Sequence, residues 1–464
     1  MKKFHKVICL LLASSVCMSF AGCRNKNKVA DDGNVTTVTI WSPDSGSKIP
    51  MTKIIEEYNN TIGAEKGIKI EYTAKDSDYG QQLEVALQSG IGPDIYQSVN
   101  SEIYGGKGYC LALEDIEGGD ELLAQYEDFD YPDSFVDKVT GKHYSVPYKQ
   151  LTHGLVYNKE MFVKAGIVDE NGEAKPPASF DEMREVAKKL TNVEKKEYGI
   201  VFPVKWTGWL ESDISHLAFA DSGMWNGYNP ATGEYDFSST IPTMECIIGM
   251  KNDGSVYPGA ETLDNDAARA RFAEGGIGMK ISASYDVAVF NTQFPAKFDW
   301  GVAPLPVSDP DNCYMQRGGA SGVGSINTQE STMKKIDKVF EVYKWLVSPE
   351  FAKRAYEDGI SIPYRVSDIE GANAPEDLKG WKEFAELTKI SVSTPNTRKA
   401  TTAGKKTMQE IYVDGIYAGK ISPEEGAKER EKIVNDGIKA YLELYPDYDY
   451  TKILIPDWFE KVKR

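Results

Sequence analysis

The chain has 464 residues and is acidic, with 70 Asp and Glu against 53 Lys and Arg and a formal net charge of −17. This balance argues against nucleic acid as a partner, because proteins bind it through basic surfaces. The length exceeds that of one ordinary hydrophobic core and predicts two domains or lobes. Six cysteines at wide spacing and four histidines form neither a disulfide framework nor a zinc motif, so we expect no metal and no cofactor.

The first residues are typical of a signal peptide. Three lysines precede an apolar run from Val7 to Phe20, so we assign residues 1–22 to a cleaved signal and exclude them from the fold. Phe20-Ala21-Gly22-Cys23 resembles a bacterial lipobox, although Phe20 stands where leucine is usual. This resemblance implies a lipid anchor on Cys23, a polar tether over 23–34, and a location on the extracellular face of the cell membrane. The alternative is an ordinary secretory signal followed by an incidental cysteine.

Strands and helices alternate along the next part of the chain. A strand over Val35–Trp41, a helix over Lys48–Asn60, a strand over Ile68–Tyr72, a helix from Tyr79 and a short strand after Pro93 follow one another. This alternation predicts an α/β lobe with a parallel sheet between helices. Strands at Tyr198–Phe202, Ile277–Ile281 and Asp299–Ala303 predict a second lobe of the same kind.

The segment Gly141–Leu190 predicts a connection between the lobes. A buried strand changes character at Pro147 and continues through Leu155–Tyr157 into two helices. The helix signals are an N-cap at Asn158, a left-handed end at Gly166, and a capping box of Ser179 with Glu182. Further on, the glycine-rich stretch Gly318–Ser325 suits a second crossover, because glycine gives a hinge its backbone freedom.

Several segments together resemble a known family. They are ALQSGIGPDI, GKHYSVPYKQLTHGLVYNKEMFVKAGI, RARFAEGGIGMKISAS and WLVSPEFAKRAYEDGISIP, with the glycine-rich stretch between the last two. In this order they resemble bacterial extracellular solute-binding protein family 1, the carbohydrate-binding lipoproteins of ABC importers. The resemblance covers about Val35 to Leu444. It implies a type II periplasmic-binding-protein-like α/β fold, with hinges at Pro147–His153 and Arg317–Gly322.

The resemblance also implies how the chain divides and what it does. Lobe 1 would comprise 35–149 and 318–363, lobe 2 would comprise 150–317 and 364–444, and 445–464 would be a C-terminal extension. The implied protein is a monomer and not an enzyme: it captures a sugar, with an oligosaccharide favoured, and delivers it to ABC transporter permease subunits. One alternative is the same scaffold binding a polyamine, a phosphate ester or a ferric ion, and another is a lipid-anchored carbohydrate-active enzyme.

Ligands of open α/β sheets bind beyond the carboxyl ends of the strands, so the loops there supply the candidate residues. Sugars need aromatic rings for their apolar faces and polar groups for their hydroxyls. The candidates are Asp44, Ser45, Tyr79, Gln81, Ser98 and Asn100 on lobe 1; Trp206, Trp209, Asp213, Trp225 and Tyr285 on lobe 2; and Tyr148, Arg317 and Gly319 at the crossovers. We expect at least one of Trp206 and Trp209 in the cleft, whereas Trp225 fits a lobe-surface aromatic equally well. Trp41 is assigned to the core, and His153 is a further residue to test.

Overall fold

The structure is a computed structural model that describes residues 35–43, 48–75, 78–97, 101–127, 135–136 and 140–464. The predicted signal peptide, the anchor Cys23 and the tether therefore lie outside the described residues. So do four candidate ligand residues, Asp44, Ser45, Ser98 and Asn100.

The strands of the described residues are short, and most contain two to seven residues. In chain order they are β1 (Thr36–Ser42), β2 (Ile68–Ala74), β3 (Ile95–Tyr96), β4 (Cys110–Leu111), β5 (Pro147–Leu151), β6 (His153–Asn158), β7 (Tyr198–Ile200), β8 (Tyr228–Asn229), β9 (Glu234–Tyr235), β10 (Ile277–Ala283), β11 (Trp300–Ala303), β12 (Gln316–Arg317), β13 (Gly319–Gly322), β14 (Ser325–Asn327), β15 (Ile362–Pro363) and β16 (Ser391–Val392).

The helices alternate with these strands. The α-helices are α1 (Lys48–Asn60), α2 (Ile62–Lys66), α3 (Tyr79–Gln88), α4 (Ser101–Gly106), α5 (Gly119–Leu123), α6 (Lys159–Lys164), α7 (Phe180–Leu190), α8 (His216–Ser222), α9 (Ile241–Asn252), α10 (Asn265–Ala273), α11 (Asp286–Ala288), α12 (Glu330–Met333), α13 (Ile336–Leu346), α14 (Pro349–Glu357), α15 (Trp381–Glu386), α16 (Pro423–Leu444) and α17 (Trp458–Lys461). Short 3₁₀ turns occupy Leu113–Asp115, Ala124–Tyr126, Val193–Lys195, Phe237–Thr240, Ala260–Thr262, Val366–Ile369, Leu387–Ile390 and Tyr450–Ile453, and π-helical turns occupy Leu210–Ser215, Val289–Gln293 and Gln409–Tyr417.

The first lobe is built on a five-stranded sheet in the order β2-β1-β3-β14-β4. β1 pairs in parallel with both β2 and β3, whereas β14 is antiparallel to its two neighbours. The core beneath the sheet contains Val38 and Ile326 from strands and Phe340 from α13. The prediction of a wholly parallel sheet is therefore wrong at β14. This strand arrives from the second lobe through β13, so it enters the sheet at the edge where the parallel strands end.

The second lobe has a four-stranded sheet in the order β11-β6-β10-β7. β7 is parallel to β10, but β6 is antiparallel to both β10 and β11. The parallel prediction is wrong here for the same reason, because β6 continues from β5 and enters the sheet from the interlobe edge. As a result, the beginning of β6 and the end of β10 lie side by side, with His153 opposite Ala283.

A three-stranded hinge sheet, β13-β5-β15, connects the two lobe sheets. The two predicted crossovers pair antiparallel with each other, with Gly319 opposite Leu151 and Ala320 opposite Gln150. A third crossover, β15, pairs with the other side of β5. β5 begins at the predicted position, Pro147, but the chain passes from the hinge sheet to the second lobe later, at Thr152 between β5 and β6.

Local capping matches the sequence closely in the first helices after the hinge. The Asn158 side chain accepts a hydrogen bond from Met161 N at 3.0 Å, and Gly166 has a φ of 65°, as predicted. The Ser179 side chain accepts from Glu182 N at 3.1 Å, but the Glu182 carboxylate accepts from Ala178 N at 2.8 Å. The second hydrogen bond of the predicted capping box, from the Ser179 backbone N–H to the Glu182 carboxylate, is therefore wrong. The Glu182 carboxylate accepts from the residue before Ser179 instead.

Within the described ranges of the chain, no helix combines the length and the apolar content that crossing a bilayer requires.

Candidate ligand-binding site

The interlobe edge of the second lobe brings three chain segments together. β7 and β10 are parallel and end there, and β6 begins there beside β10. The loop after β10 carries Ser284, Tyr285 and Asp286, and the π-helical turn Leu210–Ser215 follows the loop after β7. π-Helical turns are uncommon in proteins, and those that occur are often found at functional sites.

Tyr285 presents its ring to solvent while its hydroxyl end is enclosed. The side chain is 42% exposed, and the hydroxyl lies beside Ser212. Burial of that hydroxyl raises the pKa of Tyr285, and Asp286 raises it further. The Arg269 guanidinium lies 5.6 Å from the ring centroid and pairs with Asp286. The ring is therefore held in place but retains an accessible surface.

The ring of Tyr285 also borders the hinge. A small cavity of about 80 Å³ is lined by Tyr285 together with Lys149 and Leu151 of β5. A second, larger cavity of about 1120 Å³ lies away from this edge, between β11 and α15. We place the candidate site at Tyr285, because the hinge and the strand ends meet there.

An aromatic stack lies next to the beginning of β6. The rings of His153 and His216 are stacked with centroids 3.5 Å apart, and Trp225 meets His216 edge to face at 5.0 Å. The Arg317 guanidinium lies 4.1 Å from the Trp225 ring centroid. These contacts connect β6 to β12, and β12 leads into the hinge.

Both histidines of this stack are neutral. Burial, together with the charges of Arg317 and Lys280, lowers the pKa of His153 to about 3. Burial also lowers the pKa of His216, as do His153 and Arg317. The Nδ1–H of His216 donates to the Glu211 carbonyl oxygen at 2.7 Å, which leaves Nε2 as an acceptor.

A group of buried charges lies behind Tyr285. Asp213 and Lys280 are each 2% exposed, and Lys280 Nζ donates to the Ile281 carbonyl oxygen at 2.8 Å. Burial raises the pKa of Asp213 to about 7, and the charge of Lys280 opposes this shift. Burial lowers the pKa of Lys280, and Asp286 and Asp213 oppose that change.

Several polar atoms in this part of the lobe are buried and have no hydrogen-bond partner among the described residues. They are His153 Nδ1, Asp213 Oδ2, His216 Nε2, Arg269 Nε, Ser282 Oγ and Arg317 Nε. Buried polar atoms are almost always hydrogen-bonded, so this concentration indicates a place for water or for a polar ligand.

The first lobe contributes a polar network at the ends of β1 and β3. Ser42 Oγ donates to Gln97 Oε1 at 2.9 Å, and Gln97 Nε2 donates to the Tyr148 hydroxyl at 3.3 Å. Sequence reasoning did not single out Gln97, although it directly follows a predicted strand. Trp41, which we expected in the core, is half-buried at this edge, with Lys75 Nζ 3.9 Å from its ring centroid.

The structure brings only some of the candidate residues into these two regions. Trp225 and Arg317 are in contact on the second lobe, and the ring of Tyr285 lies 6.5 Å from that of His153, which belongs to the same aromatic stack. Tyr148 joins the first-lobe network. Tyr79, Trp209 and Asp213 are 5%, 0% and 2% exposed, so they would act on a ligand through their neighbours. Trp206 is half-buried against the core, Gln81 is exposed on α3, and Gly319 lies in the hinge sheet. Among the described residues, no group of three or more His, Cys, Asp and Glu side chains could hold a metal ion.

The sequence of the chain also matches a family model. The model for bacterial extracellular solute-binding proteins aligns with residues 46–353. The chain belongs to this family. Proteins of this family are defined by solute binding and not by catalysis.

Individual relatives agree with this membership. The solute-binding protein is 26% identical over 394 residues to the maltotriose-binding protein of Pyrococcus abyssi, an alignment that covers 82% of this chain and 78% of the relative. The GacH receptor of Streptomyces glaucescens, solved without ligand and with acarbose, aligns with a TM-score of 0.63 at 18% identity over 89% of this chain and 100% of that chain.

A third similar structure is the maltose/maltodextrin-binding domain MalE of Bdellovibrio bacteriovorus bound to maltotriose. It aligns with a TM-score of 0.60 at 17% identity and covers 87% of this chain and 100% of that chain. At this identity the structural comparisons show the fold alone. They confirm the predicted two-lobed, type II arrangement.

Proposed function

We propose that this solute-binding protein captures an oligosaccharide between its lobes and delivers it to the permease of an ABC importer. The observation that carries the proposal is Tyr285, whose ring is 42% exposed at the interlobe edge while its hydroxyl is enclosed. An exposed, fixed aromatic ring is suited to the apolar face of a sugar. The sugars bound by the similar proteins support the same ligand class.

The polar groups around Tyr285 support a ligand rich in hydroxyls. His153 Nδ1 and His216 Nε2 belong to neutral rings and Arg317 Nε is a donor; all three atoms are buried, so they would reach a ligand hydroxyl through a bound water. Across the hinge, Gln97 and Tyr148 offer an amide and a phenol. Hydroxyl groups donate and accept hydrogen bonds, so they can satisfy both kinds of partner.

Closure of the lobes would bring these two groups to one ligand. β5 borders both of them, because Tyr148 contacts Gln97 and the other side chains of β5 border Tyr285. A ligand that contacts both lobes only in the closed state shifts the population toward that state. We propose the boundaries given by the sequence for this motion: 35–149 with 318–363, and 150–317 with 364–444.

We also propose that the protein is a monomer held at the extracellular face of the membrane by a lipid on Cys23. The support is the sequence Phe20-Ala21-Gly22-Cys23 after an apolar run. Mass spectrometry of the membrane-extracted protein tests this, with a diacylglyceryl mass on Cys23 as the expected result. An unmodified N-terminus at another residue would contradict the anchor.

The charges near Tyr285 count against a polyamine. Arg269 and Arg317 both lie beside aromatic rings of the candidate site, and a polycation would meet them with like charge. Of the carboxylates in this region, Asp213 and Asp286 are 2% and 1% exposed, whereas Glu211 is exposed and offsets the charge of Arg317. A glycosidase needs its carboxyl groups on either side of the scissile bond, so buried groups of this kind do not support the enzyme alternative.

Isothermal calorimetry with purified protein and a glycan panel tests the proposed function. The panel contains maltotriose, acarbose, chitin oligosaccharides and, as a contrast, spermidine. We expect a glycan to bind in the micromolar range or tighter, and no spermidine binding. Binding of spermidine alone, or the appearance of new reducing ends when the glycans are incubated with the protein, would overturn the proposal.

A further inference from the structure

A cavity of about 430 Å³ lies where the last residues of the chain meet the hinge sheet. Small-molecule pockets usually measure about 300–1,000 Å³, so the cavity can hold part of a ligand. Its lining includes Gln150, Gly319, Ser393, Ile455, Trp458 and Lys461. The last four of these residues lie beyond the span that the family model matches, residues 46–353.

The C-terminal wall of this cavity is firmly attached to the second lobe. Trp458 is 5% exposed, and its Nε1–H donates to the Gly223 carbonyl oxygen at 2.8 Å. Its ring packs in a small apolar cluster with Phe219 and Trp225. A buried indole with its N–H satisfied is a rigid surface, because few rotamers remain open to it.

The last residues are also fixed to the polypeptide that enters the hinge. Met315 N donates to the Val462 carbonyl oxygen at 2.8 Å, and Arg464 N donates to that of Cys313 at 3.1 Å. Tyr314 and Lys463 pair between these two bonds as an antiparallel bridge. The C-terminal segment therefore runs beside residues 313–315, directly before β12 and the second crossover.

This cavity adjoins the candidate site at the hinge sheet, because Gln150 of β5 lines both this cavity and the small cavity beside Tyr285. Trp225 belongs to the same cluster as Trp458, and its ring also carries the Arg317 guanidinium at 4.1 Å. Arg317 is followed by Gly318 and Gly319, and both glycines line the cavity. A ligand that contacts Arg317 and extends along β13 would thus reach the C-terminal wall.

We propose that the segment Ile455–Arg464 forms one wall of the sugar site and receives an additional unit of an oligosaccharide. Ile455 supplies half-buried apolar surface and is held in place by Trp458, while Lys461, Ser393 and Gln150 supply hydrogen-bonding groups. This inference rests on the proposed function and adds a preference for longer chains. The segment acts at the far end of the ligand, away from Tyr285.

Two substitutions test the wall at positions that should tolerate change. Lys461 is exposed and pairs with Asp457 at 3.0 Å, so Lys461→Ala removes only a surface ion pair from the fold. Ser393→Trp fills the cavity from its half-buried rim. Lys452→Ala is the matched control, because Lys452 is an exposed lysine of the same C-terminal region that does not line the cavity.

Calorimetric titration with malto-oligosaccharides and chitin oligosaccharides of two to about six units provides the readout. We expect Lys461→Ala to weaken the longest bound sugars by about two- to tenfold, the worth of one hydrogen bond, and to leave disaccharide affinity unchanged. Ser393→Trp should remove most of the gain in affinity with chain length. The control should bind every length like the unsubstituted protein.

The outcomes separate this inference from the proposed function. If the unsubstituted protein binds a series and both variants match it at every length, this inference alone is overturned. If the unsubstituted protein binds neither series, the proposed function is overturned together with this inference. Should Ser393→Trp fail to fold in a thermal melt, Lys461→Ala decides the question alone.

Discussion

At the scale of single residues, Tyr285 separates two contributions to sugar binding. Its ring is exposed at the interlobe edge, whereas its hydroxyl faces Ser212 and not the solvent. Stacking therefore depends on the ring, and the hydroxyl mainly fixes the orientation of the ring.

We expect Tyr285→Ala to weaken glycan binding by about 1 kcal/mol or more, because aromatic contacts contribute about 0.5–1.5 kcal/mol beyond area burial. Tyr285→Phe should retain most of the affinity. Tyr445→Ala is the control, since Tyr445 is 55% exposed in the C-terminal extension. Calorimetry on the glycan identified in the panel measures all three; an alanine variant with unchanged affinity would reject Tyr285 as the stacking surface.

Asp213 makes the stability of the folded protein depend on pH, and the direction of this dependence follows from its shifted pKa. Burial raises its pKa from 3.8 to about 7, so between these values the folded protein holds a proton that the unfolded chain releases. The contribution of Asp213 to the free energy of unfolding therefore decreases as the pH rises from about 4 to 7. Asp213→Asn removes the titration, and we expect its free energy of unfolding to decline less over this range than that of the unsubstituted protein. Urea unfolding at a series of pH values measures this.

His153 makes the stability depend on pH in the opposite direction, and this provides a check on the prediction for Asp213. Burial lowers the pKa of His153 from 6.5 to about 3, so only the unfolded chain gains a proton as the pH falls below 6.5. Stability from His153 is complete above this value and is lost toward pH 3. Asp213→Asn should leave this loss in acid unchanged. Parallel profiles of variant and unsubstituted protein across the whole range would contradict the role of Asp213.

At the scale of elements, the turn between β13 and β14 requires glycine. Gly324 has a φ of 132°, and a Cβ there would lie 2.7 Å from the Tyr96 carbonyl oxygen. We expect Gly324→Ala to lower the free energy of unfolding by about 1–3 kcal/mol, because both the backbone conformation and the contact oppose a side chain. Gly106→Ala is the matched control, since no atom lies within 4 Å of its added Cβ. Equal stability of the two variants in urea unfolding would contradict this account.

The sequence predicted the longer elements well and the directions of strands poorly. α7, α13 and α14 follow from apolar periodicity and from caps such as Ser179 and Ser348, which are local properties. The antiparallel entry of β6 and β14 depends on where the chain crosses the hinge, which no local pattern records. β15 has only two residues, Ile362 and Pro363, and gives no periodic signal.

The candidate site shows the same division. Tyr285 was predicted because it follows a fully buried strand, and the family resemblance places an aromatic there. The burial of Tyr79, the first residue of α3, and of Trp209 was not visible, because the neighbouring residues are polar and the packing partners are distant in sequence. Gln97 was missed since its importance comes from contacts with Ser42 and Tyr148, 55 and 51 residues away.

At the scale of the whole molecule, the hinge sheet leads to an expectation about shape. Three crossovers connect the lobes and their strands pair edge to edge, so the lobes should rotate about this sheet as units. We expect the radius of gyration in small-angle scattering to decrease when a saturating glycan is added. Spermidine at the same concentration is the control. An unchanged radius in the presence of a bound glycan would contradict hinge closure.

The position of β14 in the first sheet also sets the order in which the chain can complete its two lobe sheets during synthesis. The sheet of the second lobe needs no strand after β11, which ends at Ala303, whereas the first sheet needs β14 at Ser325–Asn327 between β3 and β4. Of these two sheets, the one that begins first is therefore completed last. Until about two-thirds of the chain is made, β3 has an open edge on the side that β14 later occupies, which is a site for wrong pairing. Any factor that protects this protein as it emerges has to cover that edge.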